Sequence, residues 1–181
     1  MILSDSELVE MLREPRTRRE GFAVLVKQYS DKLYWKVRRI VLSHEDANDV
    51  LQNVFIKVWS NLQNFQGKSS LSTWLYRIAV NESLDFLRKQ KLLDRVSADE
   101  DVSVASRLMS DEYFDGDEVQ ARLQEAVARL PEVQRTVFNL KYFEEMKYSE
   151  MSQILNTSEG ALKASYHLAV KKITEYLHLF D

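Results

Sequence analysis

Apolar residues recur along most of this chain at steps of three and four, with no sustained alternation, so the pattern predicts helices in both halves. Ser4 and Glu7 have capping-box spacing ahead of a short helix over Leu8 to Leu12. A long helical pattern follows from Arg18 to Leu42, with a break expected near Ser30–Asp31. Ser43 stands three residues before Asp46, and Ala47, Val50, Leu51, Val54, Val58 and Leu62 then repeat at helical spacing. A polar loop, Gln66 to Ser70, separates that helix from another running from Leu71 to about Lys91. From 92 to 117 the periodicity is lost, which predicts a mostly extended linker, and helical patterning resumes near Glu118. Pro131 suits the first turn of a helix reaching about Phe143, because its missing N–H would be unpaired there in any case.

The last pattern, YSEMSQILNTSEGALKASYHLAVKKI at 148–173, predicts two short amphipathic helices around a tight turn. In the second of them Leu162, Tyr166, Ala169, Ile173 and Tyr176 make one apolar stripe. Gly160, Lys163, Ala164, His167 and Lys171 fall on the opposite face, and Asn156-Thr157-Ser158 supplies turn and N-cap residues. This is helix-turn-helix shape, equally the shape of a plain αα-corner. On the first reading Lys163 and Lys171 neutralise phosphates, His167 reaches a base edge or phosphate, and Ala164 meets a thymine methyl. On the second they form a solvated face. The fold class expected is all-α: an N-terminal helical bundle over 1–91 and a C-terminal helix-turn-helix domain over 119–181, joined by an acidic linker over 92–118.

Composition supports helices, since four Gly and two Pro in 181 residues leave little turn chemistry for a β architecture. Charge changes the picture more. Residues 1–91 carry a net +4, residues 92–118 a net −7 and residues 119–181 a net 0, so the linker supplies the whole acidity of a chain at −3. The absence of cysteine excludes disulfides, thiolate zinc sites and thiol nucleophiles. The sequence has no secretory n-region and h-region at its start and no apolar run of membrane-spanning length, which predicts a cytoplasmic protein without direct membrane insertion.

Two further stretches carry candidate chemistry. Trp74, Arg77, Asn81, Asp85 and Arg88 share one stripe of the helix after the polar loop, while Leu75, Ile78, Ala79 and Phe86 lie towards another. An aromatic beside amides and bases suits nucleic acid; Phe65, Trp74 and Tyr76 could stack on unpaired bases, and the loop could hold an extruded one. The alternative is that Trp74 is core and that Asp85 pairs with Arg88 and Lys89 on the surface. In EDANDVLQNVFIKVW, with the stripe from Ala47 to Val58 turned inward, Phe55, Ile56 and Trp59 remain on the flanks beside Asp49, Gln52 and Asn53. That apolar patch with a polar rim either meets a protein partner or is covered by other helices. His44, His167 and His178 lack metal-ligand spacing, no Gly-rich phosphate loop exists and no Ser or Asp has a nucleophile setting. Neither catalytic residues, metal nor cofactor is expected, and the Asp99-Glu100-Asp101 cluster reads as solvated linker.

Taken together, EDANDVLQNVFIKVW, FQGKSSLSTWLYRIAVNESLDFLRKQK, LPEVQRTVFNLKYFEEMKYSEMSQIL and SEGALKASYHLAVKKI, in that order around an acidic linker, resemble the extracytoplasmic-function sigma factors, a class of bacterial RNA polymerase specificity subunit. The resemblance spans about 18–91 and 119–178. It implies that Asp46, Asp49, Gln52, Asn53, Phe55 and Trp59 dock on the clamp helices of the largest subunit of core RNA polymerase. It implies that Lys68, Ser69, Trp74, Arg77, Asn81, Asp85 and Arg88 meet the −10 element, with the Gln66–Ser70 loop taking a flipped non-template base. It implies that Ser158, Glu159, Lys163, Ala164, His167 and Lys171 meet the −35 element of promoter DNA while their domain contacts the β flap. The linker would run through the RNA exit path. Ser165, Leu168 and Val170 stand where many members have basic residues, so Glu159, backbone N–H groups and DNA shape are expected to carry more of the −35 readout. Asn53 stands where an acidic residue is frequent. With no further C-terminal domain expected, signal sensing falls to a separate anti-sigma factor. The low net charge implies weak DNA binding by the free protein. The competing reading is a free-standing dimeric helix-turn-helix regulator.

Overall fold

The computed structural model describes residues 3–94 and 116–180, with only the backbone described at 91–94 and 180. The chain forms two compact units, one over Met1–Lys89 and one over Gln90–Asp181. Among the described residues no strand occurs.

In the first unit, α1 (Asp5–Arg13) begins with the expected capping box: Ser4 Oγ accepts from Glu7 N–H, and the Glu7 carboxylate accepts from Ser4 N–H at 2.8 Å. Helix α2 (Arg18–Val41) is continuous, so the expected break near Ser30–Asp31 is absent. Ser30 satisfies its hydroxyl on the Val26 carbonyl, 2.5 Å away and one turn back. Tyr29 and Leu33, both buried, carry the core stripe across the position. Leu42, at φ 69°, ends α2 in the left-handed region, and two residues later α3 (His44–Asn61) starts from the Ser43 cap. The resulting α2–α3 hairpin is antiparallel, with Tyr34 against His44 at one end and Phe22 against Trp59 at the other.

A short 3-10 turn, Leu62–Asn64, and the polar loop lead to α4 (Leu71–Asp94). This helix runs three residues into the stretch expected to be linker; most of the rest of that stretch, 95–115, lies outside the described residues. The core of the unit is Leu8, Leu25, Leu33, Val37, Val50, Val54, Val58, Leu71 and Leu75, each worth about 1.5–3 kcal/mol by apolar burial.

Helix α1 is latched firmly onto α2. The Gln28 side chain pairs with both the N–H and the carbonyl of Leu3, and Tyr29 donates to Asp5 Oδ1 at 2.5 Å. Burial, reinforced by that carboxylate, pushes the Tyr29 phenol well above its usual range. Gly21 lets the helices approach: an added Cβ would stand 2.9 Å from Met11 Cβ and 3.3 Å from the Leu12 nitrogen.

The second unit opens with α5 (Glu118–Ala128), capped by Asp117. Helix α6 (Glu132–Phe138) has Pro131 at its N-cap, one residue before the expected position, and continues to Phe143 as a π turn, Asn139–Phe143. Helices α7 (Tyr148–Leu155) and α8 (Glu159–Leu177) complete it, followed by a 3-10 turn, His178–Phe180. Ala126, Val127, Leu130, Phe138, Ala169 and Ile173 form its core, with Tyr166 and Tyr176 packed against it. The Phe138 ring is stacked between Tyr142, centroids 5.0 Å apart, and Tyr166 at 5.8 Å. Burial raises the Tyr166 phenol.

Candidate nucleic-acid interface and protein-docking face

Helix α3 buries Ala47, Val50, Val54 and Val58 and presents its other side outward. Asp49, Gln52 and Asn53 are exposed there, and Asp46 and Phe55 are half-buried. Phe22 on α2 underlies part of this surface, its ring edge-on to Trp59 at 5.0 Å and to Phe55 at 6.4 Å. Cover from within the unit is therefore partial: Trp59 stays 42% exposed and Ile56 62%. Ile56 is the most exposed large apolar side chain of α3, because position 56 falls between the rows that face α2 and the rest of the core. An ion pair from Lys57 to Glu82 ties this helix to α4. The surface is a pre-positioned aromatic and aliphatic patch with an amide and carboxylate border, the composition of a protein-docking face.

The polar loop and the start of α4 form one local construction. Gly67 sits at φ 71°, a conformation that costs a glycine nothing and an L side chain about 1–2 kcal/mol. Gln66, Gly67 and Lys68 are exposed, and Ser69 is half-buried. Ser70 caps the helix: its Oγ accepts from Thr73 N–H at 3.1 Å and its carbonyl from Trp74 N–H at 3.1 Å. Trp74, in the first turn, is half-buried with its ring centroid 5.1 Å from that of Phe65. Trp74 is thus packed only in part, short of the full burial of a core residue, and the rest of its surface stays accessible.

Further along α4, Arg77, Asn81 and Arg88 are exposed and Asp85 is half-buried, while Leu75 and Ala79 turn inward. Arg88 donates to Asp85 at 2.8 Å, so those two members of the stripe largely neutralise each other. Arg77 and Asn81, one turn apart, are exposed on the same face of the helix. Tyr76 is half-buried under the Lys36 ammonium, 4.1 Å from its centroid, which makes it support for the helix rather than part of the open stripe.

In the second unit α7, a three-residue turn and α8 make the expected corner. Asn156 takes the left-handed conformation at φ 49° and ψ 46° that ends α7. Ser158 caps α8, accepting from Ala161 N–H at 3.3 Å, so its oxygen is occupied in positioning the helix. Leu162, Ala169 and Ile173 are buried and Glu159, Gly160, Lys163, Ala164, His167 and Lys171 are exposed, as the stripe predicts. Nothing lies within 4 Å of a Cβ added at Gly160, so the start of α8 is open to a close backbone approach. Lys163 and Lys141 both lie over the Tyr148 ring, at 5.6 and 5.0 Å, which brings two ammonium groups together at the mouth of the corner. Lys141 and Tyr148 are a part of this surface that helical spacing alone does not reveal. Leu168, 46% exposed, extends the face as an apolar element.

Among the described residues no group of three His, Asp or Glu side chains could hold a metal ion.

Comparison with known proteins gives two family matches, Sigma-70 region 2 over residues 25–92 and Sigma-70 region 4 over residues 120–173. The chain is 34% identical over 157 residues to the extracytoplasmic-function RNA polymerase sigma factor SigW of Bacillus subtilis, covering 82% of this chain and 84% of that one. It is 30% identical over 176 residues to the sigma-E factor of Escherichia coli K12, covering 90% and 88%. Two solved structures share the fold. They are the sigma factor RpoE bound to the anti-sigma factor NepR from Bartonella quintana and CnrH bound to the cytosolic domain of CnrY. The first has a TM-score of 0.71 at 22% identity, covering 88% of this chain and 98% of that one. The second has a TM-score of 0.69 at 20% identity, covering 98% and 96%.

Proposed function

Because the chain belongs to the extracytoplasmic-function sigma factors of the sigma-70 family, and is thereby an RNA polymerase sigma factor directing promoter-specific transcription, we propose that its units divide promoter recognition between them. The first unit, over 1–91, docks through Asp46, Asp49, Gln52, Asn53, Phe55 and Trp59 on the clamp helices of the core enzyme, and Ile56 joins them. The same unit captures the −10 element. The Gln66–Ser70 loop receives an extruded base, and Trp74, Arg77 and Asn81 line the strand, with the Asp85–Arg88 pair beyond. The second unit, over 119–181, lays α8 in the major groove of the −35 element and meets the β flap. The chain supplies recognition and strand separation and no catalytic step of its own.

The observation that supports this most is the assembly at the start of α4. A loop with a left-handed glycine, a cap and a half-packed tryptophan leads directly into exposed Arg77 and Asn81. An anti-sigma protein as partner is proposed from the structural neighbour RpoE, which is bound to the anti-sigma factor NepR. The proposed place of action is the cytoplasm, with the polymerase. No helix among the described residues is long and apolar enough to cross a membrane.

The −35 assignment is tested through salt. Each phosphate neutralised on duplex DNA contributes about 0.9 to the slope of log affinity against log salt. Lys163→Ala with Lys171→Ala should lower that slope for holoenzyme–promoter binding by about 2 and weaken different promoters alike. Lys171 is only loosely engaged by Glu175, at 3.9 Å, so little else is lost. An unchanged slope would remove both lysines from the interface.

A further inference from the structure

The turn between α1 and α2 reads REPRTRRE, four arginines within residues 13–19. Its geometry gives them unequal roles. Arg18 closes the C-terminus of α1, donating from Nε to the Leu12 carbonyl at 3.0 Å and from Nη2 to the Arg13 carbonyl at 3.3 Å. Thr17 adds a hydroxyl bond to the Met11 carbonyl at 2.9 Å. The elbow is thereby fixed, and Arg13, Arg16 and Arg19 are exposed on it. Among the described residues no ion pair ties any of these three to a carboxylate.

The elbow also has a definite neighbour. Helix α1 packs against the 3-10 turn Leu62–Asn64 that leads into the polar loop. The Nη2 atom of Arg13 lies 3.4 Å from where a Cβ on Gly67 would stand, so this guanidinium rests against the left-handed glycine of the loop itself. Lys68 is the next residue and is exposed. Glu14 and Glu20 lie within the elbow, against four arginines, so its charge remains positive.

We infer that the α1–α2 elbow is a phosphate-binding surface for single-stranded promoter DNA, with Arg13, Arg16 and Arg19 holding the backbone of the strand whose base enters the Gln66–Ser70 loop. The inference rests on reading that loop as strand-binding. A strand that delivers a base to the loop must carry its phosphates past Gly67, where Arg13 stands. Arginine forks suit phosphate oxygens in a bidentate way, and the fixed elbow removes the backbone part of the ordering cost of presenting them. The absence of a side chain at Gly67 allows the backbone of the loop and that of the strand to come close.

The test uses holoenzyme assembled from core polymerase and the full chain, with promoter opening followed by a fluorescent base in the −10 region across a salt series. On single strands each phosphate contact contributes about 0.7 to the salt slope, so Arg13→Gln/Arg16→Gln/Arg19→Gln should lower it by about 2. The triple Arg→Lys variant should keep most of the slope, and Arg16→Gln alone, in the turn, should shift it by about 0.7 should the triple variant fold poorly. An unchanged slope with normal core binding would make the elbow a solvated face and overturn the inference. An unchanged slope with weakened core binding would make it a protein contact and overturn it equally. The parent reading has its own control: normal opening by Lys68→Ala and Asn81→Ala would remove the loop assignment and the elbow with it. Failure of those two beside an unchanged slope in the arginine variant would overturn the elbow alone.

Discussion

Holoenzyme carrying Asn81→Ala should assemble at wild-type affinity and open promoters at least about tenfold less well, a loss of about 1.4 kcal/mol of strand binding. Asn81 is exposed on α4, so its removal should change the stability of the unit by no more than about 0.5 kcal/mol. Trp74→Ala should lose opening more completely, because base–aromatic stacking is worth about 1–3 kcal/mol per base. Its case needs a stability measurement alongside, since Trp74 also packs against Phe65 and is half-buried. Unfolding curves separate the two effects: a unit still folded at the assay temperature, with normal core binding and failed opening, assigns the loss to the strand. Normal opening by Asn81→Ala would remove the strand from this face of α4.

The second large effect is expected at the docking face. Ile56→Glu places a carboxylate in the middle of the apolar patch formed with Phe55 and Trp59. In the free protein that position is 62% exposed, so the unit should fold normally. In the complex the charge would be desolvated without a partner, which costs about 2–5 kcal/mol. Affinity for core polymerase, read by fluorescence anisotropy, should fall by about 30-fold or more. Unchanged affinity would show that α3 does not dock through this patch.

Much of this organisation was legible in the sequence where one helix face settles the matter. The buried stripe of α8 follows from Leu162, Ala169 and Ile173, because a 3.6-residue period admits one arrangement of those side chains. The caps at Ser4, Ser43 and Ser158 follow from local hydrogen bonding and are all present. The expected break in α2 fails because local signals at Ser30–Asp31 are weaker than the burial of Tyr29 and Leu33 on either side.

The rest depended on tertiary contact. The π turn over Asn139–Phe143 has no pattern of its own and goes with the burial of Asn139 and Leu140. The competing readings of Trp74 could not be separated along the chain, since its partial packing comes from Phe65 across a loop. Phe22, far from α3 in sequence, decides how much of Phe55 and Trp59 is covered. The approach of Arg13 to Gly67 joins segments more than fifty residues apart, and no periodicity records it.

This chain is expected to confer promoter selectivity on RNA polymerase by using both units at once. The most direct measurement is transcript synthesis by purified bacterial core polymerase, with and without the protein, on genomic fragments from its own source. New transcripts starting at defined sites are expected, lost when either the −10 or the −35 element of those promoters is scrambled. Core polymerase that neither binds the protein nor gains specific initiation, while the protein alone binds duplex DNA as a dimer, would contradict it.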